Sequence, residues 1–191
     1  MLTKFILHGG YADHINEKND KFFQEILNVE KSKLKILLVY FAKDISRYNE
    51  LKEKNINQFN RSKGEKDLEL EVAYEDRFVE QVKNSDIVYL HGGDNLKLLK
   101  FLEKYDGLEE LFRGKVIAGE SAGAYVLSVC FYDKIGERLI EGLGFTPVKT
   151  ICHYRGENQE KLEQCPKDLE KLLLKDYEYK VFNIDSSVST K

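Results

Sequence analysis

The chain of 191 residues is 42% hydrophobic and 33% charged, with 30 Lys and Arg against 33 Asp and Glu. That balance excludes a disordered chain and gives no overall electrostatic reason for a polyanion partner. The longest apolar runs, such as residues 36–42, fall far short of the roughly 20 residues a bilayer needs, and the opening MLTKFILHGG breaks into glycine before a signal-peptide core can form.

Two prolines and the lack of a Pro/Gly/Ser-rich linker lead to the expectation of a single α/β domain over residues 1–191. Cys130, Cys152 and Cys165 are an odd count without CxxC spacing. That argues against a disulfide framework or a zinc site, and for a cytoplasmic protein.

Short β-rich runs alternate with longer amphipathic or charged stretches, the pattern of βα units that build a parallel sheet covered by helices. Residues 4–7 read as a first strand ending in Gly9-Gly10, and residues 15–29 as a helix with Phe22, Phe23, Ile26 and Leu27 on one face. KILLVYF at 35–41 suits a strand buried on both faces. A polar helical crossover over 46–60 follows, then an exposed strand at 68–73, a short helix at 78–83 and a buried strand at 86–90.

That last strand runs into His91-Gly92-Gly93-Asp94-Asn95 and a helix, LKLLKFLEKY. The strand at 115–118 ends at Gly119-Glu120-Ser121-Ala122-Gly123, after which residues 124–130 begin a helix. Strands at 149–153 and 179–184 are separated by a helix expected across 162–175.

Sites in parallel α/β sheets collect at the carboxyl ends of strands, where helix N-termini offer backbone N–H groups. GESAGA at 119–124 places Gly-x-Ser-x-Gly between a strand and a helix, the nucleophile-elbow pattern in which a sharp turn exposes the serine hydroxyl. The bland alternative is a Gly-rich turn with a capping serine.

An activated serine needs a base, and His8, His14, His91 and His153 are the four histidines. His153 ends a strand downstream of the elbow and can face the site. His8 and His91 read more readily as polar strand-end residues, and His14 as a surface residue. The N–H groups of Gly93 and Ala122 could together form an oxyanion hole. A phosphate-binding loop at Gly92-Gly93 ranks lower, because GGDN places an acid where the anion would sit and no Lys follows in Walker spacing.

ILHGG, IVYLHGGDNLKLLKFL, KVIAGESAGA and TICHY together resemble, in order and spacing over essentially the whole chain, the aspartyl dipeptidase and cyanophycinase family of serine peptidases, the peptidase E-like enzymes. The resemblance implies a three-layer α/β fold with a mostly parallel sheet, flavodoxin-like and glutamine-amidotransferase-like. It also implies hydrolysis of a peptide bond through an acyl-enzyme, with Ser121 as nucleophile, His153 as base, and Gly93 and Ala122 as oxyanion donors.

In the ungapped register the family's third triad position falls on Ser186, so Asp185, one position earlier, is the candidate acid. The arginine with which aspartyl dipeptidases read the substrate carboxylate falls on Cys165, so aspartate specificity does not carry over. Asp94, Asn95 and Arg155 are the candidate substrate contacts. No metal or organic cofactor is implied. The expected partner is a small peptide substrate, without nucleic acid or membrane, on a monomer or homodimer. The competing readings are a non-catalytic relative that binds a ligand or protein in the same cleft, and a related amide or ester hydrolase.

Overall fold

The computed structural model describes residues 2–185. Its larger sheet has six strands in the order β10-β1-β5-β4-β2-β3: β1 (Leu2–His8), β2 (Lys33–Val39), β3 (Asp67–Val72), β4 (Ile87–Leu90), β5 (Val116–Glu120) and β10 (Tyr179–Asp185). All neighbours in it are parallel except β10, which runs antiparallel to β1 at one edge. Helices α1 (Glu17–Ile26), α2 (Tyr48–Ser62), α3 (Phe78–Asn84), α4 (Asn95–Leu102), α5 (Leu108–Phe112) and α6 (Ala122–Leu127) complete the βα units.

The layering follows from the strand period of two. In β4 every residue is buried. Ile87 and Tyr89 pack with Phe22, Phe23 and Phe59 from α1 and α2, whereas Val88 and Leu90 pack with Phe78, Leu98 and Phe101 from α3 and α4. A strand that buries both faces admits few polar side chains, which is why residues 36–39 of β2 and 87–90 of β4 are apolar runs, with the Tyr89 hydroxyl satisfied by Glu120. Each of these large side chains contributes about 1.5–3 kcal/mol by leaving water. Helix, sheet and helix thus form three layers, as expected of the α/β class.

The second sheet, in the order β7-β6-β8-β9, was not legible as such. It comprises β6 (Ser128–Asp133), β7 (Arg138–Glu141), β8 (Thr146–Ile151) and β9 (Glu170–Leu173), with β6, β8 and β9 mutually parallel. The helix expected from residue 124 to 130 ends at Leu127, and the chain turns directly into β6.

The helix expected across 162–175 does not form. Instead a 3-10 turn, Gln159–Gln164, precedes β9. Pro166 lacks an N–H and would clash with the preceding turn of a helix. Beyond it Leu172 and Leu174 are buried while Leu173 is less so, the alternation of a strand rather than the three-to-four spacing of a helix.

A second expectation is corrected here. Cys130 of β6 and Cys165, which follows the 3-10 turn, form a disulfide with Cα atoms 6.2 Å apart. Only Cys152 is a free thiol among the described residues, and it is buried. The pairing was hidden because the two cysteines meet through the second sheet, 35 residues apart, and not through a local motif. It removes the cysteine count as a ground for a reducing compartment. No helix among the described residues is long and apolar enough to cross a membrane.

Candidate active site

The carboxyl ends of β1, β4, β5 and β8 open on one cleft of about 360 Å³, whose floor includes Gly92, Gly93, Ser121 and His153. Ser121 follows β5 with φ 48° and ψ −98°, immediately before α6. A non-glycine residue in such a conformation costs about 1–3 kcal/mol and is held there by its surroundings. Its N–H donates to the His8 carbonyl at 2.9 Å.

The flanking glycines make the turn possible, as the sequence pattern led one to expect. A Cβ at Gly123 would lie 2.3 Å from the Leu90 carbonyl oxygen, and one at Gly119 would lie 2.5 Å from the Gly123 carbonyl carbon. Among the described residues, neither the Gly93 nor the Ala122 N–H donates to a protein acceptor, so both remain available to a ligand.

Ser121 Oγ lies 3.1 Å from His153 Nε2, and His153 Nδ1 lies 2.6 Å from Asp176 Oδ1. An ionised carboxylate can only accept, so in the neutral imidazole Nδ1 carries the proton and Nε2 presents a lone pair to the serine hydroxyl. Asp176 is therefore the acid beside His153.

Asp185 is not that acid. In the antiparallel pairing of β1 with β10, Tyr179 sits opposite His8 and Asp185 opposite Leu2. That register puts Asp185 at the far end of the strands, about 20 Å away at roughly 3.3 Å per residue. Ser186, the other residue considered for this role, lies outside the described residues.

Backbone hydrogen bonds stitch the loops that carry His153 and Asp176. His153 N–H donates to the Gly9 carbonyl at 3.0 Å, Tyr154 N–H to Leu174 at 3.0 Å, Tyr177 N–H to Gly10 at 3.2 Å, and Gly9 N–H to Glu178 at 2.8 Å. β9 delivers the chain to this point, and the turn between β9 and β10 presents Asp176. Gly10 is obligatory on two counts. It has φ +129°, and a Cβ there would sit 2.0 Å from His153 Cε1. Tyr125 Oη, from α6, accepts from Cys152 N–H at 3.0 Å and so ties the elbow helix to the residue before His153.

Beneath the cleft lies Glu120, buried and multiply held. Its carboxylate accepts from Ala12 N–H at 3.0 Å, from Tyr89 Oη at 3.1 Å and from Gly92 N–H at 3.4 Å, with His91 Nδ1 3.6 Å away. Burial pushes the carboxyl up, but His91, His8 and the two backbone donors outweigh it and hold the group well below the usual carboxylate range. Glu120 thereby joins the loop after β1 to the loop after β4, on either side of Ser121.

His8 is engaged with Asn19 and Gly10, and burial lowers its pKa. His8 and His91 are buried strand-end residues, of which His91 lines the cleft, and His14 stands at the rim.

The candidate substrate contacts are not among the residues lining the cleft. Asp94 caps α4 by accepting from Lys97 N–H at 3.0 Å. Asn95 donates to Asp133 at 3.4 Å. Arg155 is largely exposed and stands 3.8 Å from Asp176 Oδ2. Lys43 and Arg47, which the sequence did not single out, line the cleft instead. Among the described residues no group of His, Cys, Asp and Glu is arranged to hold a metal ion.

Fold and site together define a three-layer α/β protein in which a serine at a strand-to-helix elbow is hydrogen-bonded to a histidine and through it to an aspartate. The chain belongs to peptidase family S51, whose family model matches residues 5–185. Membership of this peptidase family bears out the resemblance to peptidase E-like enzymes.

Among solved structures, a putative peptidase E protein from Listeria monocytogenes EGD-e is similar with a TM-score of 0.64 and 16% identity, over 96% of this chain and 98% of that one. A peptidase from an acI-B1 Actinobacterium is similar with a TM-score of 0.66 and 21% identity, over 95% of this chain and 84% of that one. At these identities the likeness speaks for the fold. No curated protein matches the chain significantly.

Proposed function

We propose that the protein is a serine peptidase that hydrolyses small peptides through an acyl-enzyme on Ser121. His153 Nε2 takes the Ser121 proton as Oγ attacks the substrate carbonyl, and Asp176 keeps the imidazole in the right tautomer and stabilises the imidazolium. The Gly93 and Ala122 N–H groups receive the developing oxyanion, each at about 3 kcal/mol by comparison with measured oxyanion donors. His153 then gives its proton to the leaving amine, and water, activated by the same imidazole, releases the acyl group.

The observation that carries this reading is the unbroken chain from Ser121 Oγ through His153 to Asp176, at 3.1 and 2.6 Å. Membership of a peptidase family supports the choice of a peptide bond over other acyl compounds. The test is hydrolysis of a dipeptide library, varied at both residues, by the wild type and by Ser121→Ala and His153→Ala. Turnover lost in both variants is expected. Dipeptide turnover that survives Ser121→Ala would overturn the proposal.

A further inference from the structure

Tyr11 is an exposed aromatic residue that the fold does not explain. It has φ 59°, in the left-handed region that bulky residues avoid, and 41% of its surface remains exposed, so burial does not offset that conformation. Its ring nevertheless has a defined place. It stands edge-on to the His153 imidazole with centroids 5.0 Å apart at 68°, and it stacks on His14 at 5.0 Å and 15°. His14 is fixed in turn, its Nδ1 3.1 Å from Tyr177 Oη. Tyr177 is also left-handed, at φ 67°, and directly follows Asp176. The Tyr11 carbonyl accepts from Asn19 Nδ2 at 2.8 Å.

The chemistry locates what such a shelf would touch. In the proposed reaction the leaving nitrogen must come within hydrogen-bond reach of His153 Nε2 to receive its proton. The side chain of the leaving residue branches from the carbon next to that nitrogen, so it lies against whatever flanks the imidazole. The backbone of Gly10 closes against Cε1 and Nε2, and the neighbouring side chain is Tyr11, which lines the cleft with Ser121 and His153.

We infer that Tyr11, backed by His14 and Tyr177, is the subsite for the leaving residue and selects peptides whose leaving residue is aromatic. Flat rings gain from offset or edge-to-face contact with one another beyond the area they bury. A small leaving residue would leave the Tyr11 face in water. This inference rests on the serine-peptidase reading and adds to it the substrate class on the leaving side.

The test compares kcat/KM for Asp-Phe with Asp-Ala and for Ala-Phe with Ala-Ala, in the wild type, Tyr11→Gly and Tyr11→Phe, with a separate sample of each protein labelled by a fluorophosphonate probe. Glycine suits the left-handed backbone at position 11, so Tyr11→Gly removes the ring without adding strain. The expected result is a preference for the Phe leaving residue of about 5- to 10-fold in the wild type, retained by Tyr11→Phe and reduced to near unity in Tyr11→Gly. A wild type that labels at Ser121 yet shows no such preference, keeps it in Tyr11→Gly, or cleaves none of the four dipeptides overturns the leaving-residue subsite alone. A wild type that forms no Ser121 adduct overturns the underlying hydrolase reading instead.

Discussion

The carboxylate of Asp176 sits 2.6 Å from Nδ1 of His153, a residue 23 positions earlier in the chain, and the two meet because β8 and β9 run parallel and release their loops at the same end of the second sheet. Tyr154 N–H donates to the Leu174 carbonyl and Leu174 N–H to Ile151, at 3.0 and 2.9 Å. The His-Asp pair is therefore anchored by a sheet register and not by a free loop.

Asp176→Asn should lower kcat by about 10³- to 10⁴-fold, because an amide no longer fixes the tautomer or stabilises imidazolium. Asp185→Asn should change kcat by less than about two-fold, since its charge lies well beyond a screening length from the site. Steady-state kinetics on one dipeptide decide between the two acids. The reverse order of effects would reinstate Asp185.

Gly10→Ala should separate activity from stability. The added methyl would meet the His153 ring at 2.0 Å, so the imidazole must shift, and a misplacement of about 1 Å can cost 10²-fold in rate. Turnover should fall by that order while circular dichroism still reports a folded protein. Full activity in Gly10→Ala would mean that His153 does not work from the position described.

The Cys130–Cys165 disulfide closes a loop across 35 residues, which corresponds to a stabilisation of about 3–4 kcal/mol from the unfolded chain's lost freedom. Thiol titration of the oxidised protein after denaturation should count one thiol, from Cys152. In the native protein that thiol should react slowly, because it is buried and burial raises its pKa. Cys130→Ser should lower the urea midpoint, and reduction should not lower it further. Three titratable thiols in protein purified without reductant would contradict the pairing.

Acid should destabilise the fold in two stages. His8 is a base whose pKa is lowered from 6.5 by burial, so as pH falls below that value the unfolded chain binds a proton that the folded chain refuses. Glu120 is an acid held below 4.5, so its contribution is complete above pH 4.5 and is lost as pH falls from there toward its folded value. Urea midpoints measured against pH should decline through both windows. Glu120→Gln should shrink the lower stage and leave the upper one, and a lower stage of undiminished size would assign it to other carboxylates such as Asp86, whose pKa is also lowered.

The parts of the fold that could be read in advance are those where one local pattern decides the structure. The apolar runs of β2 and β4 admit only a doubly buried strand, and GESAGA admits little besides the elbow, since Gly119 and Gly123 touch backbone. Asp176 escaped notice because its position depends on β9. With residues 162–175 taken as a helix, the aspartate falls at a helix end with no route to His153. Pro166, inside the segment taken as a helix, was the available signal. Asp94 and Asn95 illustrate the opposite difficulty, because a strand-end acid beside a helix is as suited to capping α4 as to meeting a substrate.

The central claim is that Ser121 is a nucleophile activated by His153 and Asp176. Its most direct measurement is the mass of the intact protein and its peptides after incubation with a fluorophosphonate at neutral pH. A single adduct that maps to Ser121, is absent in Ser121→Ala and forms far more slowly in His153→Ala and Asp176→Asn is predicted. No adduct, an adduct on another residue, or equal labelling rates in wild type and His153→Ala would contradict the account.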